Sequence, residues 1–497
     1  MALPALRCAP AVPDPLPLNA PLAARRLVAL IALGLAGCAA VGPDYRAPAP
    51  AVPADWSRID APLVHAAAAG DLSHWWRGLN DPLLSELVEQ ALLASPDLRS
   101  AQARLREARA RRAVAAAGRL PSVTGSGSAR RSDSSAESGS GATRNLFSVG
   151  LDASWELDVF GGVRRGIEAA EADLQSSQAS LHDTQVSLVA EVALNYVEVR
   201  ALQTRLGIAR DNLASQSETL QLTDWRAQAG LVSSQDVEQA RSNQALTRAQ
   251  IPVLETSLAE SEHDLDILLG RPPGTLHARL AAPGELPSVP AQIAVGIPAD
   301  TLRQRPDVRV AERRLAAETA RVGVAEAARY PSFNLSGSIG LEALTFGALG
   351  SGDAATSSLF AGITGPIFDA GRRRAQVEIQ DAVREQAQVT YEQAVLSALQ
   401  EVENALVALA RNRERVEALT NAVEAARNAA QMAQQRYSAG LIDFQSVLDT
   451  ERSVLSAEDS LASSRADGVL ALIRLYKALG GGWSPQTETR PADKDAP

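Results

Sequence analysis

The chain has 497 residues, with 48 Lys and Arg against 58 Asp and Glu, a net charge of −10 and a pI near 5.2. That balance speaks against nucleic acid as a partner, because phosphate binding needs a concentrated basic face. Aromatic residues make up only 4% of a chain in which alanine is abundant, which suits long, closely packed helices better than a globular core filled by large side chains.

Residues 25–38, RRLVALIALGLAGC, place two arginines, a short apolar run and Leu35-Ala36-Gly37-Cys38 in order. This is the layout of a lipoprotein signal peptide, residues 1–37, whose removal leaves Cys38 first to carry a covalent lipid. The apolar run is about half of the roughly 20 residues a bilayer core needs, so an uncleaved membrane helix is not expected. Cleavage also removes Cys8, and with no thiol pair left no disulfide framework is expected. The stretch before Arg25 is Pro-rich and long for a charged leader, which leaves open a start inside it. Residues 38–70 carry prolines at 43, 48, 50 and 53 and read as an extended tether, since repeated Pro blocks both helix and ladder donors. Residues 71–94 form an equatorial segment: a turn signal at Asn80-Asp81-Pro82, then Leu83, Leu84, Leu87, Val88, Ala91 and Leu92 at helical spacing. Trp75 and Trp76 are expected to pack on that helix.

From Ser95 the chain is built twice. SPDLRSAQARLREARARRAVAAAGRLPSVTGSGS, Ser95 to Ser128, returns as RPDVRVAERRLAAETARVGVAEAARYPSFNLSGS, Arg305 to Ser338, at an offset of 210 residues. Downstream, Arg226, Ala229, Gly230 and Leu231 return as Arg436, Ala439, Gly440 and Leu441. Because Pro and Gly punctuation recurs along with the apolar pattern, the duplication describes one structural unit stacked on itself. The first repeat runs over 95–284, an equatorial linker over 285–304, the second repeat over 305–480 and a tail over 481–497.

The predicted elements of the first repeat are helices at about 95–118, 163–226 and 234–269, with strands within about 121–158. In the second they are helices at about 305–328, 373–436 and 444–479, with strands within about 331–368. In the run from Phe147 to Asp158, Phe147, Val149, Leu151, Ala153, Trp155 and Leu157 alternate with Ser148, Asp152, Ser154, Glu156 and Asp158, the period-2 signature of a strand with one apolar and one wet face. In the second repeat Phe333, Leu335, Ile339 and Leu341 alternate likewise, and Leu359, Ala361, Ile363 and Ile367 close a second hairpin. Such strands suit a transmembrane β-barrel or one face of a soluble hairpin. Four strands cannot close around water, so a barrel has to be shared between chains. In the long helices Leu174, Leu181, Leu188, Asn195 and Leu202 recur every seven residues, interleaved with Val192, Val199, Leu206, Leu213 and Leu220; Val402, Leu409, Val416 and Val423 repeat the stripe. Helices of this length reach on the order of 100 Å. The short helix at Ser95, set end to end with the 234–269 helix, would match them.

Each long helix ends at an Ala-Gly-Leu turn, and these two turns form the distal tip, where Gly relieves the chain reversal. Near them stand Asp236, Asp443, Asp449, Arg226, Arg436 and Tyr437, and a lone charge at such a tip is by default solvated. His65, His74, His182, His263 and His277 have neither metal-ligand spacing nor Cys partners, and no phosphate loop or nucleophile elbow is present. No catalytic site, no metal site and no cofactor beyond the Cys38 lipid are expected.

GCAAVGPDYRAP at Gly37 to Pro48, NDPLLSELVEQALLASPDLRSA at Asn80 to Ala101, IPADTLRQRPDVRVAERRLAA at Ile297 to Ala317 and ARYPSFNLSG at Ala328 to Gly337 resemble the TolC-like outer-membrane efflux channels, in the lipoprotein branch that includes OprM and NodT. The resemblance covers essentially the whole mature chain. It implies a mainly α protein with a small membrane β part, in which three copies pool four strands each into a twelve-stranded barrel and their duplicated helix hairpins into a periplasmic α-barrel tunnel. It also implies a gate at the tip, made by a ring of acids and by hydrogen bonds between helix pairs. Counted from the tip glycines, the matching positions are Asp236, Tyr437 and Asp449. The chain departs from TolC at Ile442, where TolC has Arg, and at Ser446, where it has Asp; fewer ties are then expected, with Asp449 the main ring carboxylate. Ala39 in place of Asp after the lipid-bearing cysteine implies sorting to the outer membrane.

The function these features imply is export of small molecules through an outer-membrane channel. An inner-membrane pump would drive it through a periplasmic adaptor, or membrane fusion protein, docking on Gly230, Leu231, Gly440 and Leu441. A lipidated periplasmic adaptor is the competing class, but adaptors carry a single helical hairpin, not two phase-matched pairs. A lipid-anchored coiled coil without a pore is the third reading.

Overall fold

A computed structural model of the chain describes residues 40–49, 52–57, 64–66, 72–137, 141–288, 293–296 and 298–484. The signal peptide and Cys38 lie outside the described residues. The first part of the chain holds β1 (Val64–Ala66), α1 (Pro82–Ala94), α2 (Pro96–Ala117), β2 (Ser122–Asp133), β3 (Thr143–Leu157), α3 (Gly162–Gln228), α4 (Ser234–Leu268) and α5 (His277–Leu280). The linker holds β4 (Ile293–Val295) and α6 (Pro298–Gln304); then come α7 (Pro306–Ala327), β5 (Ser332–Ala343), β6 (Ala355–Thr364), α8 (Arg372–Ser438) and α9 (Phe444–Ala478). Two compact units cut across the repeats.

One unit gathers the described residues up to Asp44 with Ala115–Glu168 and Thr319–Asp381. Its sheet is antiparallel in the order β2-β3-β5-β6. Leu151 stands opposite Gly125 and Ile339, and Val149 opposite Gly127 and Leu341. Asp152 stands opposite Thr124 and Ser338 and accepts from Ser126 Oγ at 2.8 Å, and the Ser128 and Ser148 hydroxyls meet at 2.8 Å. The alternation read along each strand is therefore in phase across the sheet, giving one apolar and one polar face. Each edge strand, β2 and β6, pairs on one side only within the chain. The second hairpin is shorter than the sequence reading: β6 ends at Thr364 because Pro366, two residues on, has no N–H to give a ladder. Ile367 lies beyond the strand, fully exposed.

The tether is anchored as well as extended. Arg165 donates to the Val41 and Gly42 carbonyls, both at 3.2 Å, and to the Asp44 carboxylate at 2.7 Å. Farther on, β1 pairs in parallel with β4. The prolines of the tether do not exclude this strand, because Pro removes a donor only at its own position and Val64–Ala66 contains none.

The other unit gathers Tyr45–Val114, Ala169–Glu318 and the described residues from Ala382 onward. Its core joins Trp76, Leu79, Leu84, Leu87 and Val88 to Leu188, Val192 and Val199 of α3 and Leu472, Ile473 and Leu475 of α9. Each fully buried leucine here is worth about 1.5–3 kcal/mol. Both tryptophans lie in this core with the α1 leucines, and Trp75 also stacks on Tyr476 of α9 with ring centroids 5.0 Å apart. Asp81 caps α1 by accepting the Leu84 N–H at 3.0 Å, with Pro82 in the first turn. The end-to-end stacking holds too. Gly270, just past α4, lies so close to the residues before α2 that a Cβ on it would be 2.8 Å from the Ala94 carbonyl, and Gly480 repeats this at 3.2 Å from Gln304.

Candidate functional site at the helix tips

At both tips the chain reverses through a left-handed glycine, Gly230 at φ +72 and Gly440 at φ +75. The Leu231 N–H donates back to the Arg226 carbonyl at 2.9 Å and the Leu441 N–H to Arg436 at 2.9 Å, which satisfies carbonyls the helix ends leave open. Nothing would touch a Cβ on Gly230, so conformation and not space demands glycine there. Leu231 and Leu441 are 69% and 70% exposed, so each turn offers one large apolar side chain outward. The returning helices start on capped ends: Ser233 and Asp236 form a reciprocal capping box, and Asp443 accepts from Ser446 N at 3.0 Å and Oγ at 2.6 Å. Those bonds hold the Asp443 carboxyl below the usual carboxylate range.

The three residues singled out for the gate have different surroundings. Tyr437 is buried with Phe444, Val447 and Leu448, and its hydroxyl has no hydrogen-bond partner among the described residues. The Asp236 carboxylate is taken by Ser233 N at 3.0 Å and Oγ at 2.9 Å, so a single copy does not join Asp236 to Tyr437. Asp449 is exposed, accepting from Gln445 Nε2 at 2.9 Å. What grips Tyr437 is Arg226, whose guanidinium donates to the Tyr437 carbonyl at 2.5 Å and lies 4.4 Å from the ring centroid.

Arg226 ends a ladder the sequence reading did not find. Arg205 donates from Nε and Nη2 to the two Asp459 carboxylate oxygens at 2.7 and 3.2 Å, Asn212 donates to Glu458 at 3.2 Å, and Thr219 donates to Glu451 at 2.7 Å. Together with Arg226 these four stand seven residues apart on α3, each tying it to the second repeat. Its signal was in the sequence: polar residues recur in the same heptad phase, one position ahead of Leu206, Leu213 and Leu220. Burial pushes the Glu451 carboxyl up, against the Thr219 hydrogen bond, which acts the other way. Around this ladder Glu451 Oε2, Asn243 Nδ2 and both amide atoms of Gln216 are buried without partners.

A groove of about 1040 Å³ between α3, α8 and α9 is lined by Arg413, Arg427 and Arg465 and by Glu285, Glu424 and Glu458. Its mixed charge suits no single ligand class, and Arg427 already pairs with Glu458 at 2.7 Å. Among the described residues no group of three His, Cys, Asp or Glu is placed to hold a metal, and no helix is long and apolar enough to cross a membrane.

The sequence profile of the family described as outer membrane efflux protein matches residues 87–271 and again 297–481, two stretches that begin 210 residues apart. The chain belongs to this family. Nodulation protein T of Rhizobium leguminosarum bv. trifolii is 35% identical over 466 residues, covering 91% of this chain and 96% of that one. The pyoverdine export outer membrane protein OpmQ of Pseudomonas putida is 34% identical over 468 residues, covering 93% and 98%. The solved outer-membrane channel OprN superposes with a TM-score of 0.84 at 39% identity, over 89% of this chain and 99% of that one. The outer membrane efflux protein described here is thus an outer-membrane channel protein of the efflux class, with duplicated halves that give a helical tunnel part and a β part. It belongs with transport proteins and not with the adaptor class.

Proposed function

We propose that three copies of this efflux protein form one channel that carries small molecules from the periplasm to the exterior. The open sheet carries this reading. Four strands with an apolar face and two unpaired edges cannot sit in hydrocarbon alone, because every backbone donor there needs a partner. Three sheets joined edge to edge give twelve strands and no free edge. The relatives' names point to low-molecular-weight cargo, pyoverdine export in one and antibiotic efflux in another. Exposed Leu231 and Leu441 on the tip turns suit an adaptor that links the channel to an inner-membrane pump. Asp449 supplies the acid ring of the gate, and Tyr437 and Asp236 restrain its helices. Cys38 carries the lipid that holds the chain to the outer membrane. Catalysis has no part in this scheme; the energy enters from the pump.

A deletion strain grown against drugs, dyes and metal ions, with planar-bilayer recordings of the purified protein, tests the function. Hypersensitivity to at least one class, restored by the intact gene, together with discrete channel currents is the expected outcome. Unchanged tolerance and no conductance would leave a lipid-anchored coiled coil as the better reading. For the anchor, mass spectrometry of the mature protein should find lipid on Cys38, and Cys38→Ala should leave the precursor unprocessed; an unmodified Cys38 overturns it.

A further inference from the structure

The polar face of the sheet carries one residue out of character. Residues that stand opposite each other on neighbouring strands lie on the same face, and the row Ser122, Ser154, Ser336 and Phe360 crosses all four strands. The Ser122 and Ser154 hydroxyls meet at 2.9 Å, and in the next row the Ser338 and Ser358 hydroxyls meet at 2.7 Å. Phe360 therefore stands among hydroxyls. From the row of Ser148 to the row of Glu156 it is the one large apolar side chain on this face among the described residues, and it is 64% exposed.

The ring has a place prepared for it. A Cβ on Gly362 would stand 2.7 Å from the Phe360 ring, so the ring lies over bare backbone, with its other face toward water. Joining copies edge to edge would not cover that face. Opposite residues share a face, so the β2 residue of a neighbouring copy that meets Phe360 comes from Ser122, Thr124, Ser126, Ser128, Arg130 and Ser132, all but Arg130 too short to cover a phenyl ring. Acids flank the same row. Asp152 and Glu156 stand on either side of Ser154 on this face, both exposed, and two strand spacings, about 10 Å, separate β3 from β6. None of the residues paired with 152–156 is basic.

We propose that Phe360, with Asp152 and Glu156, forms a binding site for planar aromatic cations on the wall of the lumen. The ring stacks on the cargo and the carboxylates draw its charge. A phenyl face attracts cations and stacks with other rings, and a wall of serines does neither. The inference rests on the channel proposed above and adds a cargo class and the residue that favours it. Each sheet holds a whole site, so every copy in an assembly carries its own.

Ethidium, a planar aromatic cation, and tetraethylammonium, a cation of the same charge without a ring, test the site on the purified full-length protein. By fluorescence polarisation, Phe360→Leu, which keeps apolar bulk without the ring, should weaken ethidium binding about tenfold, and Phe360→Tyr should hold it within about twofold. Asp152→Asn with Glu156→Gln should weaken it several-fold and flatten its salt dependence. In planar bilayers, ethidium added on the side of the β part should lower the current through the parent and not through Phe360→Leu, whereas tetraethylammonium should act alike on both. Equal ethidium affinity in the parent and Phe360→Leu would overturn the site and leave the channel reading intact. Failure of the Leu variant to assemble where the Tyr variant does would assign the ring to the seam between copies and overturn the site as well. A parent that binds ethidium through Phe360 but passes no current would overturn the channel reading, and with it the site's part in export.

Discussion

Arg226 and Glu451 act on α3 in opposite ways, the first through its contact with α8 and the second through its contact with α9. The Arg226 guanidinium joins a carbonyl at the end of α8 and covers the buried Tyr437 ring, interactions worth about 0.5–2 kcal/mol each. Arg226→Ala should therefore raise closed-state conductance in planar bilayers, and Arg226→Lys should restore it only in part, because an ammonium cannot both stack and reach the carbonyl. Unchanged conductance in the alanine variant would mean that the tip is held elsewhere. Glu451 is a half-buried acid whose proton-binding is strengthened by folding. The native state thus binds more protons than the unfolded chain just above the ordinary glutamate range, and stability falls as pH rises through that window toward the raised native value. Glu451→Gln removes the charge and keeps an acceptor for Thr219, so thermal melts in detergent should show the variant more stable than the parent at pH 7.5, with the gap narrowing toward pH 5. A gap independent of pH would exclude Glu451 as its source.

Among the elements, strand register and glycine junctions give separate tests. Leu151 lies among Gly125 and Ile339 on the apolar face, and Asp152 among Thr124 and Ser338 on the polar one. An arginine facing lipid near mid-bilayer costs about 2–4 kcal/mol, so Leu151→Arg should lower the amount of assembled protein in outer membranes and Asp152→Arg should not; equal amounts would overturn the assignment of faces. The glycines differ in what a side chain would meet. Gly230 and Gly270 both have positive φ, at +72 and +68, and alanine at either is expected to cost about 1 kcal/mol in backbone strain. Only at Gly270 would the added Cβ also collide with the Ala94 carbonyl, at 2.8 Å. Gly270→Ala should accordingly lower the melting temperature more than Gly230→Ala.

On the scale of the whole molecule, the unpaired edges of β2 and β6 test the proposal that the barrel is shared between copies. If every edge is joined to a neighbouring copy, the amides of β2 and β6 in the assembled protein should exchange with deuterium as slowly as those of β3 and β5. In single chains released by denaturing detergent the two edge strands should exchange faster. Rapid exchange at both edges in the intact assembly would rule out a barrel closed between copies.

Whatever repeats along the chain could be read from the sequence. Alternation at Phe147–Leu157, the heptads of α3 and α8 and the glycines at 230 and 440 each depend on residues a few positions apart, the 210-residue offset copies those local patterns, and helix, strand and turn follow from such local spacing. For the same reason the helix bounds fell within a residue or two, and the second hairpin was overrun only where a proline stops its ladder. The tertiary structure decided which charged or polar groups meet. Arg226 reaches Tyr437 across 211 residues, Thr219 reaches Glu451 across 232 and Arg165 reaches Asp44 across 121. Asp236 accepts from Ser233 within its own cap. A polar side chain takes whichever partner packing brings within about 3 Å, and along α3 that partner was set by the register of a helix two hundred residues away.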